Sequence, residues 1–299
     1  MAIIIDGKKI ASEIKREVAA EVKGLRAKGI EPHLAVIIVG ADPASQVYVR
    51  NKHKDCQETG IKSTIIELPE SSTQCELLSQ IDNLNKDSTV HGILVQSPLP
   101  KGLDEQAAFG AISPLKDVDC FHPENVGFLI QGRPRFLPCT PAGVVEILVR
   151  TGIEIPGKYI VIVGRSNIVG RPLANMLTQK SDRGNATVTV CHTRTRGLSY
   201  YTKQADIVVA AAGSPGIVTG DMLNNNCVVI DVGVNRVEDP SAKSGFRLVG
   251  DVDFESAEKV ASHITPVPGG VGLLTRAMLL KNCVKAATSS ISPPWQGGD

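Results

Sequence analysis

A chain of 299 residues with 42% hydrophobic and 21% charged side chains carries enough apolar material for one large or two modest globular cores. Its formal net charge of +1 argues against a surface built for nucleic acid or an anionic membrane. No apolar run approaches the ~20 residues of a membrane span. The opening Met-Ala-Ile-Ile-Ile-Asp-Gly-Lys-Lys lacks the basic leader and apolar stretch of a secretion signal, so a cytoplasmic location is expected.

Strand and helix patterns alternate along the chain. Ile3 to Ile5 reads as a short strand, followed by a helix whose apolar residues Ile10, Ile14, Val18, Val22 and Leu25 form a one-face stripe. His33 to Val39 is a strand. Ala44 to Glu58 is a helix closed by Gly60 as a left-handed cap. Thr64–Leu68 reads as a strand, Gln74–Leu84 as a helix, and His91–Gln96 as a strand that Ser97-Pro-Leu-Pro100 stops. A Pro- and Gly-punctuated stretch, 116–141, leads to a helix from Pro141 to Arg150. Strands are then expected at Tyr159–Val163, Thr187–Cys191, Ile207–Ala211, Cys227–Val232 and Leu248–Gly250. The loop Thr265–Gly272 precedes a terminal helix reaching about Ala287. Residues 289–299, with the single tryptophan Trp295, are rich in Ser, Pro and Gly and read as a disordered tail. Strands alternating with helices imply parallel sheets made of βαβ units. The expected fold is therefore two α/β domains with a cleft between them, the second a Rossmann-like dinucleotide-binding domain.

Seven cysteines lie scattered with no C-x-x-C pair, and the six histidines include no H-E-x-x-H. This pattern fits reduced core thiols and no metal site.

The most telling segment is Lys158 to Leu177. The unalternating run Tyr159–Val163 reads as a strand covered on both faces, and Gly164 and Gly170 bracket the following turn. Such a strand–turn–helix unit aims backbone N–H groups and a helix dipole at an anion, most often a pyrophosphate. The glycine fingerprint is imperfect, because its first, third and sixth positions hold Gly164, Ser166 and Val169, and an ordinary strand-to-helix turn of an α/β protein is the other reading. The position after the next strand, where an acid selects NAD, holds Thr193 and Arg194, which with Arg165 would suit a 2′-phosphate.

Further candidates precede this unit. Tyr48 and Lys52 are four apart on a helix and share a face; a stacking ring beside a proton carrier is one reading, an ordinary surface pair the other. Gln96 stands at the carboxyl end of a strand, where ligands of α/β sheets collect. Lys116-Asp-Val-Asp119 offers two carboxylates for a paired hydrogen-bonding edge, or a solvated acidic turn. Pro266-Val-Pro-Gly-Gly-Val-Gly272 combines fixed φ with room for close backbone approach.

Taken together, six segments resemble the bifunctional methylenetetrahydrofolate dehydrogenase/methenyltetrahydrofolate cyclohydrolase family. They are Ser45–Lys52, Gly92–Pro100, Lys116–Asp119, Pro138–Pro141, Gly164–Pro172 and Pro266–Gly272, and the likeness covers nearly the whole chain. The resemblance implies that the chain oxidises 5,10-methylenetetrahydrofolate with NADP, NAD being the lesser alternative, and then hydrolyses the product to 10-formyltetrahydrofolate. It implies Lys52 as the catalytic lysine, Tyr48 as a stacking partner of the folate, Gln96 as the residue that tunes the amine, and Asp119 as the holder of the pterin edge. Val49, Arg50, Asn51, Val95, Ser97 and Pro268, Gly269, Gly270, Val271 and Gly272 would complete the folate site. Gly164, Arg165, Ser166, Thr193 and Val234 would contact the dinucleotide, with Thr140 nearby. Residues 1–140 would form the folate-binding catalytic domain, joined by the helix 272–288, and residues 141–271 the NAD(P)-binding domain. A homodimer is expected, with no nucleic acid or membrane partner.

Cys120 and Leu273 replace the family's usual glycine and proline, Thr193 its commoner serine, and Lys180–Asn185 lengthens a loop. A short-chain dehydrogenase would share Tyr48-x-x-x-Lys52, but its dinucleotide turn comes before that pair in the chain. A non-catalytic nucleotide sensor on the same frame would bind NADP without turnover. A formyltetrahydrofolate synthetase would need a G-x-x-x-x-G-K-[ST] loop, which is absent.

Overall fold

The computed structural model describes residues 1–241 and 245–289. In chain order its elements begin with β1 (Ile3–Ile4), α1 (Gly7–Arg26), β2 (His33–Val39), α2 (Pro43–Thr59), β3 (Lys62–Leu68), α3 (Gln74–Lys86) and β4 (Gly92–Val95). Three helices follow, α4 (Glu105–Ala111), α5 (Pro123–Ile130) and α6 (Cys139–Arg150). Then come β5 (Tyr159–Val163), α7 (Gly170–Thr178), β6 (Thr187–Cys191), α8 (Leu198–Thr202), β7 (Ile207–Ala210) and β8 (Val228–Asp231). The last elements are β9 (Asn235–Glu238), β10 (Phe246–Val249), α9 (Phe254–Ala257), β11 (His263–Ile264) and α10 (Val271–Ser289). The described chain divides into two compact units, one of residues 1–11 and 139–275, the other of residues 12–138 and 276–289.

In the unit of residues 12–138, a parallel sheet has the order β3-β2-β4. All seven residues of the central strand β2 are buried, as its continuous apolar run requires, while β3 at the edge is more exposed. The stripe Ile10, Ile14, Val18, Val22 and Leu25 is buried along α1, each side chain stabilising the fold by roughly 1.5–3 kcal/mol. α2 starts at the Asp42 cap, whose carboxylate accepts from Ser45 N at 2.7 Å, and ends at Gly60 with φ 79°. α3 opens with a capping box between Thr73 and Glu76. Its far end is closed by Lys116, whose ammonium donates to the carbonyls of Leu84, Asn85 and Asp87 at 2.9, 2.9 and 2.6 Å. α4 and α5 are absent from the sequence reading. They are short, contain Gly110 and Gly127, and are started by the caps Asp104 and His122 rather than by a long apolar stripe.

In the unit of residues 1–11 and 139–275, six strands pair in parallel in the order β1-β11-β8-β7-β5-β6. β1 pairs with β11 through Ile3↔His263 and Ile4↔Ile264, so the first residues of the chain group with this sheet rather than with residues 12–138. The expected strand near Leu248 is β10, which forms an antiparallel hairpin with β9. The short link between them forbids the crossover that a parallel pair needs. The lengthened loop 180–185 is tied down by Arg183, whose guanidinium reaches the buried Glu146 carboxylate at 2.6 Å beside Arg150.

Six of the seven cysteines are buried, and Cys75 in the first turn of α3 is exposed. Ser289 is the last residue of α10, and the remainder of the expected tail, with Trp295, lies outside the described residues. Among the described residues no helix is long and apolar enough to cross a membrane.

Candidate functional site

Each parallel sheet contains a point where strand order reverses, and α/β sheets bind ligands outside the carboxyl ends of the strands flanking such a point. In the order β3-β2-β4 the reversal lies between β2 and β4. The helix that follows β2 carries Lys52, and Gln96 directly follows β4, held in place by its own N–H donating to Ile37 O at 2.8 Å. The two meet: the Lys52 ammonium donates to Gln96 Oε1 at 3.0 Å. Gln96 spends its amide N–H on Ser97 O at 2.6 Å, which fixes its oxygen toward the lysine. The Ser97-Pro98 bond is cis, and a single oxygen of Glu105 accepts from both Ser97 Oγ (2.7 Å) and Leu99 N (2.8 Å). Sequence reading missed Glu105; its signal is its place directly after the Asp104 cap, as the acidic first residue of α4.

Tyr48 lies one turn before Lys52 and is 43% exposed, an aromatic face left open beside the lysine. Val49 is buried, Arg50 exposed and Asn51 half-buried. Val95 packs into the core beneath the sheet with Ile37, Ile81 and Phe109, so its side chain supports the site from below.

The two carboxylates of Lys116-Asp-Val-Asp119 part company. Asp117 bridges to Ile93 beside β4 and is buried, accepting from Phe121 N (3.1 Å), His122 N (2.8 Å) and Asn125 Nδ2 (2.8 Å). It orders the chain entering α5. Asp119, two residues on, is half-buried at the turn beside β4. Cys120 adopts φ 62°, a left-handed conformation in which glycine is unstrained, and its buried thiol donates to Phe136 O at 3.3 Å.

The second sheet reverses between β5 and β7. Gly164 ends β5 with φ 135°, and a Cβ on it would stand 2.0 Å from Ala211 O, the first residue beyond β7. A Cβ on Gly170, the first residue of α7, would stand 2.1 Å from Gly164 O. Both glycines are therefore demanded by backbone contact, and the shifted fingerprint still gives a tight strand–turn–helix unit. The turn residues Arg165, Ser166, Asn167 and Ile168 are exposed, and Ser166 Oγ accepts from Val169 N at 3.1 Å where the helix has no other side-chain cap. This bare, glycine-framed helix start fits a pyrophosphate.

After β6, Thr193 and Arg194 are exposed in a turn closed by His192 N donating to Thr195 Oγ1 at 2.9 Å. Val234 stands 47% exposed just beyond β8. Thr140, at the start of α6, shares a 3.0 Å hydrogen bond with Thr275 on α10, so the structure shows its hydroxyl joining two helices.

Pro268–Gly272 lies in the same unit as the dinucleotide turn. Val267-Pro268 is cis, Gly269 has φ 115°, and a Cβ on Gly7 would stand 2.5 Å from Gly269 O. Leu273 falls in the first turn of α10, where its N–H donates to Gly270 O, so its replacement of proline leaves the helix start intact.

Two buried carboxylates that sequence reading passed over lie at the end of β8 and just beyond β10. Asp231 accepts from Gly233 N, Asp251 N and Val252 N, each at 2.9 Å. Burial and the neighbouring Asp251 push its carboxyl up to about 6 against these hydrogen bonds. Asp251 accepts from Ala212 N, Gly213 N and Ser214 N and from Asn235 Nδ2. Their only sequence signal is the pair of flanking glycines, Gly233 and Gly250.

Two family models match. Residues 5–119 match the catalytic domain of tetrahydrofolate dehydrogenase/cyclohydrolase, and residues 138–291 match its NAD(P)-binding domain. The bifunctional protein FolD of Pelodictyon phaeoclathratiforme is 57% identical over 287 residues, covering 95% of this chain and 97% of that one. Among solved structures, the bifunctional FolD enzyme of Campylobacter jejuni superposes with a TM-score of 0.91 at 50% identity, over 97% of this chain and 100% of the other. The Trypanosoma brucei enzyme, solved with NADP cofactor and an inhibitor, also gives 0.91, at 43% identity over 98% and 99%. With both domains matched and over half the residues shared across nearly its full length, the chain belongs to the tetrahydrofolate dehydrogenase/cyclohydrolase family.

Proposed function

We propose that this chain oxidises 5,10-methylenetetrahydrofolate to 5,10-methenyltetrahydrofolate with NADP and hydrolyses that product to 10-formyltetrahydrofolate. The 3.0 Å contact between Lys52 and Gln96 at a strand-order reversal carries this assignment. It joins an amine, an orienting amide and, one turn away, an exposed tyrosine ring at the place where an α/β sheet takes its ligand.

The bound nicotinamide supplies the hydride acceptor of the first reaction. That step needs chiefly alignment, since the nitrogens flanking the one-carbon bridge stabilise the cation left behind. Glycines 164 and 170 let the backbone close around the pyrophosphate, and Arg165, Thr193 and Arg194 present the donors that favour a 2′-phosphate over a bare ribose. Val234 offers an apolar surface to the nicotinamide ring.

Hydration of the methenyl cation requires a proton carrier. Water attacks the one-carbon centre and gives up both its protons as the formyl carbonyl forms, one passing to the ring nitrogen whose bond to that carbon breaks and the other to solvent. Lys52 is placed for this shuttle, with Gln96 Oε1 holding the amine in a fixed direction. Asp119 takes the pterin edge through paired hydrogen bonds, and Tyr48 stacks on it. We assign folate binding chiefly to residues 12–138 and the dinucleotide to residues 139–275. A homodimer in the cytoplasm, without nucleic-acid or membrane partners, completes the reading.

The Tyr48–Lys52 spacing also occurs in short-chain dehydrogenases. Here, however, the pair falls in a different compact unit from the dinucleotide turn. One absorbance assay tests the proposal: methylenetetrahydrofolate with NADP or with NAD, following methenyl formation and its decay. Formation with NADP followed by decay is the expected result. No formation with either nucleotide, or turnover of simple alcohols without folate, overturns it.

A further inference from the structure

The glycine turn accounts for only one side of the strand-order reversal between β5 and β7. The other side is the segment after β7, residues 211–214, which presses against Gly164 through Ala211 O. What holds that segment is a buried charge. Asp251 is fully buried, and its Oδ2 accepts from Ala212 N at 2.6 Å and Gly213 N at 2.8 Å. Its Oδ1 accepts from Ser214 N at 2.9 Å and from Asn235 Nδ2 at 2.8 Å.

A carboxylate removed from water costs several kcal/mol unless its lone pairs are filled, and here four N–H donors fill them. The backbone is moulded to the acid. A Cβ on Gly233 would stand 2.3 Å from Asp251 Cγ, and one on Gly250 would stand 1.8 Å from Asp231 Oδ2. Asp231 then links the pair, accepting from Asp251 N and from Gly233 N on the segment that carries Val234. One buried group thus ties together the segments leaving β7 and β8.

We infer that Asp251 is a positioning residue for the nicotinamide half of the dinucleotide. The inference rests on the dinucleotide assignment made above. Asp251 fixes residues 212–214 and, through Asn235, the chain at the exposed Val234 that precedes it. The chemistry of the segment selects which half of the ligand it meets. With three successive N–H groups turned inward onto Asp251, residues 212–214 have carbonyl oxygens left to offer. Those acceptors suit ribose hydroxyls and a carboxamide NH2, not phosphate oxygens.

The test uses the full-length chain and two probes, NADPH and 2′,5′-ADP, the second lacking the nicotinamide ribose. Wild type should bind both; if it binds neither, the dinucleotide assignment itself fails before any variant is made. Asp251→Asn keeps the size of the side chain but turns an NH2 toward donors. It should raise the Kd for NADPH and the KM for NADP at least ten-fold. The Kd for 2′,5′-ADP and the hydrolysis of preformed methenyltetrahydrofolate should stay within two-fold. Equal weakening of both probes would mean a general loss of structure, and no weakening of either would mean no role; each overturns the inference. If Asp251→Asn shows no cooperative melting, Asn235→Ala, which removes one of the four donors, decides instead. The same split at about three-fold supports the inference, and its absence overturns it.

Discussion

The two strand-order reversals are built by opposite means. Between β2 and β4 the chemistry is in side chains: an amine on a helix meets an amide at a strand end at 3.0 Å, and Glu105 fixes the turn that follows. Between β5 and β7 it is in the backbone, where two glycines allow main-chain atoms to touch and a buried acid holds the facing segment. A proton shuttle needs one group of specified basicity in one place, whereas a long anionic ligand needs many N–H and C=O groups in fixed array. The lesson is that side-chain removal should disable the first region selectively, while adding even one methyl should disable the second.

The sharpest way to break this contrast is Lys52→Met. It should lower the cyclohydrolase rate about 10³-fold, the size of a lost acid–base group, with NADPH affinity unchanged. Retained hydrolysis of methenyltetrahydrofolate, followed by its absorbance, removes Lys52 from the mechanism. Next in size is Gly164→Ala, which places a methyl 2.0 Å from Ala211 O at φ 135°. Backbone strain of this kind should weaken NADPH binding by about 100-fold, while hydrolysis at Lys52 continues. Unchanged binding in a fluorescence titration would show that the turn is not the pyrophosphate site.

The smallest effect concerns Asp231. Its carboxyl lies near pH 6 in the folded chain against an ordinary value of 3.8. The folded state therefore binds the proton more tightly than the unfolded one, and the stability this group contributes is lost as pH rises through 6. Asp231→Asn lacks that titration, so its stability deficit against wild type should be larger at pH 4.5 than at pH 7 by about 2 kcal/mol. An equal deficit at both pH values, measured by urea unfolding, would place Asp231 at an ordinary carboxylate value.

Much of this contrast was legible in the sequence, for reasons particular residues make plain. The β5 run and the α1 stripe announce themselves by periodicity, because burial imposes a period on apolar residues. Tyr48, Lys52 and Gln96 could be placed on their elements from spacing, but no spacing says that residues 52 and 96 touch. That contact depends on β4 adding beside β2 rather than beyond β3. Asp117 and Asp119 look equivalent in the string and differ in burial, which only the entry into α5 decides. Asp231 and Asp251 were invisible for the opposite reason. Asp231 is held by backbone N–H groups, and Asp251 by three of them with Asn235 sixteen residues away, so only the flanking glycines Gly233 and Gly250 hint at the network.

The parallel bridge of β1 to β11 has a consequence for how the protein is made. Ile3 and Ile4 are made long before the strand they join, His263–Ile264, which follows some 260 residues later. α10 imposes a similar delay on the other unit, since its residues from 276 onward group with residues 12–138. Neither unit can reach its final form until the segments from β11 through α10 have been made, and a ribosome-bound fragment ending before β11 would present an unpaired edge on β8. Synthesis through α10, rather than completion of a first domain, is the event that permits both units to finish folding.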